Sequence, residues 1–130
     1  MTLAGDTQNA LDLATLYVEG ATQGGEHATL QAFFDAIKGL IQTYDIRSVM
    51  ALVSESHTED PVKTFVERSL LDCLARSPHP SLKAMQVLFS CQDYESLISL
   101  SKNADVDEMN RSRARREAQR IKQAYMSQFD

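Results

Sequence analysis

Apolar residues recur at intervals of three and four along most of this chain. The clearest example lies between residues 28 and 44, where seven large side chains follow that spacing: Leu30, Phe33, Phe34, Ile37, Leu40, Ile41 and Tyr44. Such spacing places side chains on one face of an α-helix. We therefore predict a helix over this segment, with its apolar face in the protein core.

Six further segments show the same helical period. They span residues 8–19, 46–53, 62–74, 82–89, 94–100 and 106–128. Residues that can accept hydrogen bonds from free helix amides precede three of them: Asp6 or Thr7, Asp60 followed by Pro61, and Asp105 or Asp107. Gly24 and Gly25 mark a link after the first. No segment shows the period of two that a half-buried strand requires. We predict an all-α fold of about seven helices.

The domain organisation follows from the length of 130 residues, which suits one core without disulfide or metal staples. We predict a single helical domain over residues 1–130. Its last element, residues 105–130, is predicted to be a long amphipathic helix that packs on the body or projects from it.

An internal resemblance connects residues 45–52, DIRSVMAL, with residues 93–100, DYESLISL. Each follows a helix that opens with a similar segment, Thr-Leu-Gln-Ala at 29–32 and Ser-Leu-Lys-Ala at 81–84. One interpretation is a duplicated helical hairpin, as in a short α-solenoid, whose grooves bind peptides or helices. The other is that Asp-capped amphipathic helices resemble one another by composition.

The overall composition favours a soluble, cytoplasmic protein. No apolar run reaches about eighteen residues, and the first residues lack a basic segment followed by an apolar block. Cys73 and Cys91 lie within apolar helical patterns, so we expect a reduced, buried pair. The three histidines stand in separate links without ligand spacing to the cysteines. We expect no metal, no cofactor and no membrane association.

The last predicted helix contains RSRARREAQRIK, residues 111–122, with six of the chain's thirteen Lys and Arg residues. At 100° per residue, one apolar strip about 80° wide collects five side chains: Ala114, Ala118, Ile121, Tyr125 and Phe129. We predict that this strip packs on the body and that Ile121, Tyr125 and Phe129 can form a protein interface. The cations predicted on the opposite side of the helix are Arg113, Arg116 and Arg120. Those predicted beside the strip are Arg111, Arg115 and Lys122.

Charge is distributed unevenly along the chain. Residues 1–110 carry seven Lys and Arg against sixteen Asp and Glu, a net charge of −9, whereas residues 111–130 carry six against two, a net of +4. Clustered arginines can bind carboxylates or phosphates through paired donors. Three readings stay open for the six cations: a solvated face, an acidic protein partner or second copy of the chain, and nucleic acid.

Candidate catalytic residues do not form a recognisable motif. The histidines lack a nucleophile turn, and the acidic pairs stand at helix starts, where free amides explain them. Gly24 and Gly25 lack the Lys and Ser or Thr of a phosphate-binding loop. We therefore expect no enzyme activity and no small-molecule substrate.

The resulting hypothesis is a protein–protein interaction module, such as an adaptor, chaperone or regulatory subunit, with a homodimer among its forms. It would use grooves between helix pairs, with residues 28–44 and 62–74 as the apolar floor, and the basic terminal helix. The alternative is a nucleic-acid-binding regulator that uses residues 111–122, although these lack interleaved aromatics.

Overall fold

The computed structural model describes residues 2–20 and 26–129. In this part of the chain there are seven α-helices and no strand, which confirms the all-α prediction. The helices are α1 (Leu3–Val18), α2 (Glu26–Thr43), α3 (Ile46–Glu55), α4 (Asp60–Arg76), α5 (Leu82–Cys91), α6 (Tyr94–Ser101) and α7 (Glu108–Ser127). Gly24 and Gly25, predicted to form a link, lie outside the described residues.

The chain divides into two compact units, Met1–Leu70 and Leu71–Asp130, with the division inside α4. The single-domain organisation stays a prediction. Unit 1 holds α1 to α3 and most of α4, and unit 2 holds the last turns of α4 with α5 to α7.

Unit 1 is built around α1, which packs against α2 and α3. Its fully buried side chains include Phe33, Ile37 and Leu40 of α2. The Phe65 ring of α4 stacks on Phe33 at 4.9 Å and on Tyr17 at 5.6 Å between centroids. These three residues of the predicted apolar face are therefore core, as the spacing predicts. Of the other four, Leu30, Ile41 and Tyr44 are half-buried and Phe34 is 44% exposed, and the groove floor stays a prediction.

The start of α1 differs from the sequence prediction by about five residues. The Thr2 hydroxyl accepts a hydrogen bond from the Gly5 amide at 3.0 Å, and the helix begins at Leu3. Asp6 therefore lies inside the first turn, where its carboxylate accepts a 2.6 Å hydrogen bond from the Tyr44 hydroxyl just after α2. Thr and Asp are both good N-caps, so the pattern alone could not choose between them.

Unit 2 has α6 at its centre, packed against α7 and α5. Leu97 and Leu100 of α6 are fully buried. Two side chains of this region also bind the end of α4: the Ser99 hydroxyl donates to Asp72 at 2.6 Å, and the Asn103 amide donates to the Ala75 and Ser77 carbonyls at 2.9 Å. Pro78 and Pro80 follow that end, as the sequence predicts for a helix stop.

The resemblance between residues 45–52 and 93–100 has a local cause. Asp45 caps α3 and Asp93 caps α6, and each carboxylate accepts from the amide and hydroxyl of the serine three residues later. The preceding segments are not equivalent, because Ser81 caps α5 whereas the residue matched to it lies inside α2. Capping thus explains the shared Asp and Ser, and the duplication stays a prediction.

The two cysteines differ in exposure. Cys73 is half-buried, whereas Cys91, the last residue of α5, is exposed. The expectation of a buried pair is therefore wrong for Cys91. The period of α5 does not reveal this difference, because Cys91 is the last residue of that helix.

Candidate functional site

The helix that carries the candidate residues, α7, begins just after Asp107. The Asp107 carboxylate accepts from the Asn110 amide at 3.2 Å and from the Asn110 side chain at 2.7 Å. These bonds, the side-chain one foremost, lower the pKa of Asp107. Of the two caps that the sequence offers, the structure uses this one and fixes the start of α7.

The apolar strip of α7 changes its environment along the helix. Ala114 and Ala118 are 0% and 1% exposed, and Ile121 is half-buried. Tyr125 is 59% exposed, and Phe129, two residues after the helix ends, is 72% exposed. The prediction that the strip packs on the body is therefore correct for its first half and wrong for its second half.

Helix length explains this change. α6 packs against α7 and has 8 residues, whereas α7 has 20. At a rise of about 1.5 Å per residue, α6 extends over roughly 12 Å and α7 over roughly 30 Å. α7 is therefore roughly 18 Å longer than α6, so α6 cannot run beside all of it.

The exposed end of α7, defined here as Tyr125 and Met126 of its last turn together with Phe129 two residues after it, is an apolar cluster. The Tyr125 and Phe129 rings meet edge to face with their centroids 5.3 Å apart. Met126 is 57% exposed beside them. The strip prediction missed Met126, because that residue is rotated about 100° from Tyr125; the short apolar run at the end of the helix was the available signal.

Two cations of α7 share one carboxylate. Glu108 binds Arg111 and Arg115, each at 2.8 Å. The hydrogen bond from Arg115, then that from Ser112 and the charge of Arg111, lower the pKa of Glu108. Arg111 and Arg115 were predicted beside the apolar strip, and the structure gives both an internal partner.

Arg120 and Arg113 contact residues of α5 and its end. Arg120 binds Glu117 at 3.0 Å and donates a hydrogen bond to the Gln92 side chain. The Arg113 guanidinium carbon lies 4.0 Å from the centre of the Phe89 ring, a cation–π arrangement. The sequence placed both arginines on a side away from the body. Their long side chains instead reach sideways to α5, which the angle around the helix does not reveal.

The other two cations, Arg116 and Lys122, are exposed. Neither has an ion-pair partner among the residues that the structure describes. The six predicted cations are thus gathered on one helix but do not form one uniform surface. Of these two, Lys122 lies within one turn of Tyr125, whereas Arg116 lies nine residues before it.

Metal-binding groups and membrane-spanning helices are two further features that the described residues can be searched for. Within residues 2–20 and 26–129, no three His, Cys, Asp or Glu side chains are grouped so that they could hold a metal ion. The described helices also include none with the length and apolar character to cross a membrane.

Comparison with protein-family models, with curated proteins and with solved structures finds no match for this chain.

Proposed function

We propose that this protein is a non-catalytic protein–protein interaction module that binds its partner with the exposed end of α7. One observation carries the proposal: α7 buries Ala114 and Ala118 but leaves Tyr125, Met126 and Phe129 mostly exposed. Single exposed apolar residues are ordinary on a protein surface. Three within five residues, at the end of one helix, are typical of a segment that a partner covers.

The arrangement of these side chains suits a helix that enters a groove. Ile121, Tyr125 and Phe129 follow one another at i, i+4 and i+8, which is the spacing of helical anchors in such complexes. Tyrosine and other aromatics often carry a large share of binding energy. Burial of each anchor would contribute about 1–2 kcal/mol, because part of each side chain is already covered.

The charges beside the anchors favour an acidic partner. Lys122 precedes Tyr125 by less than one turn, and Arg116 lies further back along the same helix. Because neither cation pairs with a described carboxylate, a groove with Asp or Glu at its rim would complement them. The partner we propose therefore has an apolar groove with an acidic edge.

Self-association through this end alone would be weak. The exposed parts of Tyr125 and Phe129 amount to roughly 250 Å² per molecule. A stable interface buries about 800 Å² on each partner. A homodimer would therefore need a second contact surface, whereas a partner groove can surround the helix end on several sides.

Site-specific photo-crosslinking tests the proposal directly. The photoreactive residue p-benzoyl-L-phenylalanine would replace Phe129, which is 72% exposed, and in a matched control Phe34 of α2, which is 44% exposed. In cell extract we expect position 129 to yield a discrete cross-linked protein, identified by mass spectrometry, and position 34 to yield none.

A second substitution checks that the product reports the surface. Adding Tyr125→Asp should remove the product at position 129 without changing the melting temperature, because Tyr125 is exposed. The absence of a product at 129, or the same products from both positions, would contradict the proposal. A product between two copies of the chain would identify the partner as a second molecule.

The nucleic-acid alternative depends on the arginines of residues 111–122. Arg111, Arg115 and Arg120 bind carboxylates, and Arg113 covers Phe89. To bind phosphates, three of these arginines would have to give up an ion pair. This cost weighs against nucleic acid and favours a partner that uses the apolar end.

A further inference from the structure

A groove lies between α5 and the start of α7, well before the exposed end of that helix. It has a volume of about 250 Å³. Its lining comes entirely from unit 2: Leu82, Met85, Gln86, Phe89, Ser90, Asn110 and Arg113. We name this feature the α5–α7 groove.

The α5 side of the groove is mainly apolar. Leu82, Met85 and Phe89 stand at i, i+3 and i+7, so they share one face of α5. Leu82, the first residue of α5, is a large apolar side chain, yet it is 70% exposed. Methionine adapts its shape to different apolar neighbours, which suits a binding surface.

The α7 side of the groove carries a positioned arginine. Phe89 holds the Arg113 guanidinium 4.0 Å above its ring. Among the described residues, this guanidinium donates no hydrogen bond and forms no ion pair within 4.0 Å, although its charge, after the effects of Arg120 and Gln92, helps to lower the pKa of Glu117 on the same helix. Arg116 lies one turn further along the same side of α7 and also forms no ion pair with a described carboxylate. The apolar wall is therefore bordered by one arginine, Arg113, and a second, Arg116, follows one turn beyond the lining.

We propose that the α5–α7 groove binds an amphipathic helix of another protein that carries Asp or Glu along one edge of its apolar face. Apolar anchors of that helix would pack on Leu82 and Met85. Its carboxylates would accept paired hydrogen bonds from Arg113, whose planar donors are held in place by the ring beneath them.

The size and charge of the groove favour this occupant over others. Its volume is below the roughly 300–1,000 Å³ of small-molecule pockets, so individual side chains suit it better than a whole ligand. The exposed end of α7 from a second copy is disfavoured, because Lys122 would approach Arg113 and Arg116 with the same charge.

The groove lining shares no residue with Tyr125, Met126 and Phe129, although Arg116 lies between the two surfaces. The inference rests on the proposed function only in that both surfaces bind proteins. Methionine methyl groups can distinguish the two surfaces in the intact chain. Met85 lines the groove, Met109 precedes Arg113 by one turn, Met126 lies at the exposed end of α7, and Met50 belongs to α3.

The experiment is a titration of protein labelled with ¹³C at its methionine methyl groups, followed by NMR. The probes are two synthetic helical peptides with the same leucine anchors at i, i+3 and i+7, flanked by Glu in one and by Lys in the other. We expect the Glu peptide to shift the Met85 and Met109 signals with a Kd in the micromolar range. The Met50 and Met126 signals should not move.

Substitutions then test the chemistry of the groove. Leu82→Asp should raise the Kd for the Glu peptide at least tenfold. The variant protein should still fold, because Leu82 is mostly exposed. The double variant Arg113→Glu with Arg116→Glu should reverse the preference, so that the Lys peptide binds more tightly. Phe34→Asp, on an exposed apolar residue of unit 1, is the control and should change neither affinity.

Four outcomes would overturn the inference. The first is that the Met85 and Met109 signals do not shift at about 1 mM Glu peptide, and the second is that both peptides bind equally. The third is that these signals shift with protein concentration alone. The fourth is that a duplex oligonucleotide shifts them more than the Glu peptide does. The third would assign the groove to a second copy and the fourth to nucleic acid. A shift at Met126 alone would leave the proposed function standing and remove only this groove.

Discussion

The Tyr125 ring meets the Phe129 ring edge to face at 5.3 Å, and both rings remain mostly exposed at the end of α7. An edge-to-face aromatic pair holds two anchors in a fixed relation before a partner arrives. Such preorganisation lowers the entropy that binding must overcome. The pair is therefore central to the proposed interaction.

The buried part of the same helix gives a matched test of packing. Ala114→Leu should destabilise the protein by about 1–3 kcal/mol, because Ala114 is fully buried and the larger side chain has no space. Ala124→Leu, on the exposed part of α7, should change stability by no more than about 0.5 kcal/mol. Urea denaturation of both variants measures the difference; equal effects would contradict the account of α7.

The cap of α6 gives a second prediction. Asp93→Ala should cost about 1–2 kcal/mol, because Asp93 accepts from both the amide and the hydroxyl of buried Ser96. Asp35→Ala is the control, since Asp35 is exposed in the middle of α2 and accepts one bond from Gln31. In chemical denaturation, the free energy of unfolding of Asp35→Ala should be close to that of the wild type. A stable Asp93→Ala variant would show that the cap contributes little.

The hydrogen bond between Tyr44 and Asp6 predicts a dependence on alkaline pH. The Tyr44 hydroxyl donates this bond only when protonated, and the bond raises the pKa of Tyr44 above the ordinary 10.0. Its contribution to stability is therefore complete below pH 10 and is lost as pH rises through the higher folded-state pKa.

Thermal unfolding of the wild type and Tyr44→Phe across neutral and alkaline pH measures this contribution. The wild type should melt at the higher temperature up to about pH 10, and the difference should shrink above it. Tyr17→Phe, which keeps the stack on Phe65, is the control and should show no such convergence. A difference that grows with pH would give the opposite sign and contradict the assignment.

The nucleic-acid alternative makes a distinct prediction about salt. If only Arg113, Arg116 and Lys122, which form no ion pair, neutralise phosphates, the slope of log K against log salt for duplex DNA should be no steeper than about −3. If four to six cations do so, the slope should reach about −4 to −5. We expect the shallow slope, or no binding, in fluorescence anisotropy. The steep slope would favour a nucleic-acid regulator.

Much of the fold could be predicted from the sequence because local signals agree. The three- and four-residue spacing of Phe33, Ile37 and Leu40 gives a helix face whatever its neighbours are. Asp45 and Asp107 act as caps through bonds to residues three positions away, so their role depends on nearby sequence alone. The seven helices follow from such local rules.

The candidate surface could be predicted only in part, because exposure depends on the length of a neighbouring helix. The period of α7 places Ala118 and Tyr125 on one side, but it does not reveal that Ala118 is buried and Tyr125 is exposed. In the same way, the angle of Arg113 around α7 does not show that Phe89 lies within reach. These features require the arrangement of α5, α6 and α7 in unit 2.

The most direct measurement compares the intact chain with a variant that ends after Lys122, in a pull-down analysed for bound protein and bound nucleic acid. This variant removes Tyr125, Met126 and Phe129 but retains the buried Ala114 and Ala118. A shorter variant that ended after Asn110 would lose these two alanines as well. We predict that the shortened chain keeps its melting temperature and loses a discrete protein partner of the intact chain. Retention of every bound protein by the shortened chain would contradict the claim that the exposed end of α7 is the binding surface.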